Sequence, residues 1–198
     1  MREIATGIWH WTAKHPRIGL EVSSYFLPEQ GVLLDPMLPP EGIDAIASLG
    51  APGAILLTNR HHYRDCAALH EGFGVTVRAP RVGMHEFQPG DAVEPYDFGD
   101  ELADGAVVAY EVGAICPDEA ALHIPAVRAL AVADGVVNYD DLRFVPDNLM
   151  DDPDDTKAAL KQAYRRLATE LDFDHLLCAH GAPVVGDGRD RLRAFAAA

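Results

Sequence analysis

Gly53-Ala54-Ile55-Leu56-Leu57-Thr58-Asn59-Arg60-His61-His62-Tyr63-Arg64-Asp65 is the stretch on which the reading of the chain turns: an unbroken apolar run of strand length ends in a dense polar cluster. A run without polar alternation is expected of a strand covered on both faces, and α/β folds keep their functional side chains at the ends of such strands. A short helix is predicted from Cys66 to Gly72 and a strand from Val75 to Val77, giving the strand, helix, strand order of a right-handed crossover. Upstream, Glu41 to Leu49 is predicted helical after the Pro39-Pro40 stop, with Ile43, Ile46 and Ala47 on one face. Three apolar runs precede it, Glu3 to Trp11, Gly19 to Leu27 and Gly31 to Asp35, separated by turn chemistry, and they read as a β-meander.

Downstream, residues 82 to 127 hold ten acids and no Lys or Arg, interleaved with Gly and Pro, and are expected to form a solvated acidic face rather than a cation site. Ala106 to Val112, Ala120 to Ile124 and Ala129 to Ala133 form a second set of predicted strands, the last ending at Asp134-Gly135. An acidic loop spans Asn138 to Asp155. The clearest helix follows, with Asp152 at the cap, Pro153 at its first position, and Leu160, Tyr164, Leu167 and Leu171 as its apolar stripe. A last strand, His175 to Ala179, ends at His180-Gly181, and a helix from Asp187 to Ala197 closes the chain.

The 198 residues are 48% hydrophobic and 24% charged, which suits one domain over residues 1–198. Sixteen Lys and Arg against 31 Asp and Glu give a formal charge of −15, which argues against nucleic acid or an anionic membrane surface as partner. Cys66, Cys116 and Cys178 are odd in number and widely spaced, so no disulfide framework is indicated. With no apolar run at the start and none of membrane-spanning length, the expected setting is the cytoplasm. No Gly-rich phosphate loop, G-x-S-x-G elbow or dinucleotide fingerprint occurs.

Three strand ends therefore carry the candidate chemistry: the cluster after Thr58, then Asp134, then His180. Asn59, Arg60 and Arg64 could bind a small carboxylate or phosphate through charge-assisted hydrogen bonds. The order of these strand ends resembles the metallo-β-lactamase superfamily, whose second buried strand ends in T-H-x-H-x-D-H and whose later strands end in a His, an Asp and a His-Gly. Val32-Leu33-Leu34-Asp35-Pro36 looks like that family's strand ending in Asp. Against the motif Thr58 is kept, Asn59 takes the first His position, His61 the second, Tyr63 the Asp and Arg64 the following His. No His falls near Gly113 to Pro117, whereas Asp134 and His180 match the bridging Asp and the last His.

The resemblance implies a four-layer αββα sandwich and a hydrolase ancestry with an incomplete metal site. His61, Asp134 and His180 are too few for two ions, so a conventional dinuclear metallohydrolase is not expected. The shortfall favours a centre without metal, in which Arg64 pairs with Asp134; the only ion the set suits is a single zinc, or else iron or manganese. His62 is expected to point away from His61, as neighbours do in an extended segment. The alternative is a mononuclear hydrolase of an ester, thioester or phosphodiester, with Asp134, Tyr63 and Arg64 as its catalytic residues.

Overall fold

The computed structural model describes residues 1–198. The first apolar run divides in two, because Thr6-Gly7 turns the chain with Gly7 at φ +76°, a conformation that favours glycine. β1 (Arg2–Ala5) thus pairs antiparallel with β2 (Ile8–Lys14), and β3 (Glu21–Leu27) and β4 (Val32–Leu34) complete the meander. After α1 (Ile43–Ala47) come β5 (Ala54–Leu56), α2 (Cys66–Phe73), β6 (Thr76–Pro80) and β7 (Val93–Tyr96). Strands β4 to β7 run parallel, and the sheet is seven-stranded in sequence order.

A second, five-stranded sheet takes β8 (Glu101–Leu102), β9 (Val107–Glu111), β10 (Ala120–Ile124) and β11 (Ala129–Val132). The acidic segment before α3 is not a plain loop: it contains the small ribbon of β12 (Val137–Asn138) and β13 (Leu142–Arg143). α3 (Pro153–Glu170) starts as expected, with the Asp152 carboxylate accepting the Asp155 N–H at 3.2 Å. β14 (His175–Cys178) pairs parallel with β11 at the sheet edge, and α4 (Gly188–Ala197) ends the chain.

Alternation along the strands sorts the apolar residues into layers. Leu34 and Leu56 of the first sheet meet Leu122, Ala131 and Leu177 of the second in the central core. Leu33, Ile55 and Val77 face outward beneath Ile46 of α1 and Leu69 of α2. Leu130, Val132 and Leu176 face outward beneath Leu160 and Leu167 of α3 and Leu192 of α4. The result is the four-layer sandwich of two sheets between helices. Its parallel pairs matter most for function: β4 beside β5 and β11 beside β14 end together, delivering Asp35, Thr58, Asp134 and His180 at one edge. That edge is laced across the sheets, since Ala120 N–H donates to Thr58 O at 2.8 Å and Ser23 N–H to Ala179 O at 2.9 Å.

Candidate metal centre

The segment after Thr58 does not stay extended. Asn59 is extended and caps a 3-10 turn over Arg60–His62, its side-chain oxygen accepting the His61 N–H at 2.9 Å. In a 3-10 turn residues three apart eclipse, so Asn59 and His62 share a side and His61 is carried off it. His62 is buried and His61 exposed. The imidazole at the site is therefore His62, not His61: the extended-chain reasoning fails because the turn replaces a period of two with one of three.

His62, Asp134 and His180 present three ligand atoms that all lie within 4.8 Å of one another. Asp134 is the hub. Its Oδ1 stands 3.3 Å from His62 Nε2 and 3.0 Å from His180 Nε2, while its Oδ2 accepts the Asn59 amide at 2.7 Å. Behind His62, the Asp35 carboxylate stands 3.0 Å from Nδ1 and also accepts the Thr58 N–H at 2.8 Å and the Thr58 hydroxyl at 2.6 Å. Asp35 thus fixes the ring and turns Nε2 towards Asp134. A tetrahedral zinc ion with bonds of about 2.0–2.2 Å spaces its ligand atoms by roughly 3.3–3.5 Å, close to the separations found around Asp134 Oδ1. The two-His, one-carboxylate set with a carboxylate behind one imidazole fits a single divalent ion.

The other candidate residues fall elsewhere. Arg64 makes no ion pair with Asp134; its guanidinium donates to the main-chain oxygens of Ser23 at 2.7 Å, Asp35, and Ala179 at 3.4 Å. Arg60 neither points to solvent nor stands free for an anion, being paired with the buried Asp118 and, at 3.3 Å, with Glu86. Asn59 spends its amide on Asp134. Tyr63 lies edge-on against Phe87, 5.7 Å between ring centres, on the helix-covered side of the first sheet. It is not among the groups around Asp134. Asp118 and Glu119 depart from the expected solvated face: both are fully buried, and Glu119 Oε1 accepts the Gly135 N–H at 2.6 Å. Asp35 and Glu119 were not singled out as site groups from sequence, although the strand ending in Asp35 was itself conspicuous.

Charge balance follows from this packing. Burial alone would lower the His62 pKa, but Asp35 and Asp134 outweigh it and hold it up at about 9. Burial works to raise Asp35 and Asp134, yet His62 leaves both below the ordinary carboxylate range. Glu119 goes the other way, lifted to about 8 by burial and then by Asp134. A folded-state pKa raised above its unfolded value stabilises fully below the unfolded value and is lost on rising through the folded one. For His62 the window runs from 6.5 to about 9, and the raised Glu119 acts in the same direction up to about 8. The chelator-treated protein is thus expected to lose on the order of 3 kcal/mol of its His62 share between about pH 6 and pH 9. Urea unfolding across that range checks this: His62→Gln should flatten the slope, and a wild-type stability that stays level would contradict the charge assignment.

The sequence of residues 5–198 matches the family model of the metallo-beta-lactamase superfamily, and the chain belongs to that superfamily. No protein of curated function matches it. Among solved structures it is similar to a metallo-beta-lactamase from Erythrobacter litoralis, at 18% identity and TM-score 0.69 over 99% of this chain and 95% of that one. It is likewise similar to a metallo-beta-lactamase from Hirschia baltica, at 14% identity and TM-score 0.68 over 98% and 96%. A rubredoxin oxygen:oxidoreductase from Desulfovibrio gigas shares the fold at 14% identity and TM-score 0.66, over 99% of this chain and 61% of that one. No helix is long and apolar enough to cross a membrane.

Proposed function

We propose that the protein is a mononuclear member of its superfamily, a hydrolase that holds one divalent ion, zinc first and iron or manganese next, through His62, Asp134 and His180. The observation that carries this reading is the convergence of the three ligand atoms with Asp35 set behind His62. An ion there supplies Lewis acidity towards water and towards a substrate oxygen. The chain's own residues do the rest: Asp35 holds the His62 ring, Asn59 anchors the outer oxygen of Asp134, and the His180-Gly181 turn presents the second imidazole. His180 and Asp134 are the partly exposed members, at 12% and 21% of their side chains, so the cluster opens towards solvent, from which an ester, thioester or phosphodiester would arrive. A relative by fold that is named an oxidoreductase is reason to argue the reaction from the site and not from the fold.

A second reading has its own support. His62, bracketed by Asp35 and Asp134 with its pKa held at about 9, carries a charge that offsets the two carboxylates in part without any ion. In that form the protein is a non-catalytic member of the superfamily. Elemental analysis of protein purified without chelator, from medium supplemented with zinc, iron and manganese, separates the two. About one ion per chain is expected, retained in His61→Ala and lost in His62→Ala and His180→Ala. Zero metal under every condition retires the hydrolase reading.

A further inference from the structure

Arg64 lies near the centre, yet its guanidinium pairs with no carboxylate and touches none of the three ligand atoms. Its backbone is left-handed at φ +42°, a conformation costly for any residue with a Cβ. That strain delivers its guanidinium to main-chain oxygens on three separate segments: Ser23 at 2.7 Å, Asp35, and Ala179 at 3.4 Å. Each segment matters to the cluster. Asp35 carries the carboxylate that holds His62, Ala179 precedes His180, and Ser23 Oγ donates to Gly181 O at 2.8 Å. Arg64 itself lies two residues beyond His62. A lysine, as a compact point charge with no planar fork, could not reach three carbonyls in fixed directions at once.

We propose that Arg64 is the positioning residue of the centre: bonded to the main chain of Ser23, Asp35 and Ala179, it fixes the spacing between the His62–Asp35 pair and His180, and through it the affinity for the ion. This rests on the single-ion reading. A group one step removed from the ligands commonly alters metal affinity by about ten- to a hundredfold.

The test compares zinc affinity, by competition with a chromophoric chelator, in the wild type, Arg64→Met, Arg64→Lys and Leu192→Ala. Leu192 is fully buried on the inner face of α4, in the outer core of the second sheet, and Leu192→Ala serves as a destabilised control with the site residues intact. Arg64→Met is expected to bind zinc at least about tenfold more weakly, Arg64→Lys to recover part of the loss, and Leu192→Ala to lower the melting temperature with affinity unchanged. Wild-type affinity in Arg64→Met, or a loss no larger than that of Leu192→Ala, overturns the proposal. Should Arg64→Met fail to fold, Arg64→Lys against the same control decides. If the wild type binds no zinc, the single-ion reading has failed separately, and the ring-nitrogen NMR resonances of His62 and His180 become the readout. Unchanged resonances in Arg64→Lys and Arg64→Met then overturn the positioning role, and shifted ones support it.

Discussion

Gly181→Ala is expected to cost about 4 kcal/mol or more, far beyond the usual effect of one added methyl group. Gly181 is at φ +84°, and a Cβ there would lie 2.0 Å from the main-chain oxygen of Asn138 and 2.4 Å from its carbonyl carbon. The obstacle is backbone, and that backbone is not free to move. Asn138 N–H donates to His180 O at 3.1 Å, Ala182 N–H returns to Asn138 O at 2.8 Å, and the Asn138 amide donates to Ala182 O at 2.8 Å. Relief therefore breaks bonds on both sides of Gly181, one of them at His180 itself. A melting temperature lower by roughly 10 °C, measured beside Gly186→Ala, checks this. Gly186 has a similar dihedral, φ +95°, but open space around its Cβ, so it reports dihedral strain alone, about 1 kcal/mol. Equal losses at the two glycines would mean that the Asn138 contact is yielding.

The layers of the sandwich were legible because period and run length are local properties. Gly53 to Thr58 could be read as a strand covered on both faces, and Asp152-Pro153 as a helix start, without knowing what packs on them. Asp134 and His180 were legible for the same reason, as polar residues at strand ends. The error fell at Asn59, where the side chain, by capping the next turn, overrides the period of the strand before it. Asn is a strong capping residue, so the signal was present in the sequence and outweighed by the spacing of a resembled motif. Arg60, Asp118 and Glu119 illustrate a different limit. Whether an acid in a turn-rich segment is solvated or buried depends on a partner from elsewhere in the chain, and the pairing of Arg60 with Asp118 leaves no local pattern. The same holds for Arg64, whose acceptors are main-chain oxygens that every residue possesses.

Asp134→Ala is expected to remove metal binding altogether and to destabilise the chelator-treated protein by about 3–5 kcal/mol. Three groups lose their only acceptor at this hub or their shared one: His62 Nε2, His180 Nε2 and the Asn59 amide. His62 is the costly one. It is buried, and with Asp134 gone Asp35 still faces its Nδ1 but its Nε2–H keeps no acceptor, which leaves a buried charged donor unpaired. Two imidazoles without the carboxylate fall short of the three protein ligands usual for a catalytic zinc, and a fall in affinity of at least about a thousandfold, roughly 4 kcal/mol, is expected. Asp134→Asn is the sharper variant, because an amide has one acceptor and one donor side. Turned to accept from the histidines, it presents its NH2 to the Asn59 NH2, donor against donor. The double variant Asn59→Asp, Asp134→Asn reverses that clash while keeping a capping acceptor at 59 for the His61 N–H. It is expected to recover stability relative to Asp134→Asn but not the metal, since the ligand oxygen is no longer a carboxylate. Recovery of both would mean that the ion does not depend on a charged Asp134; recovery of neither would place the main cost in His62 and not in the amide contact.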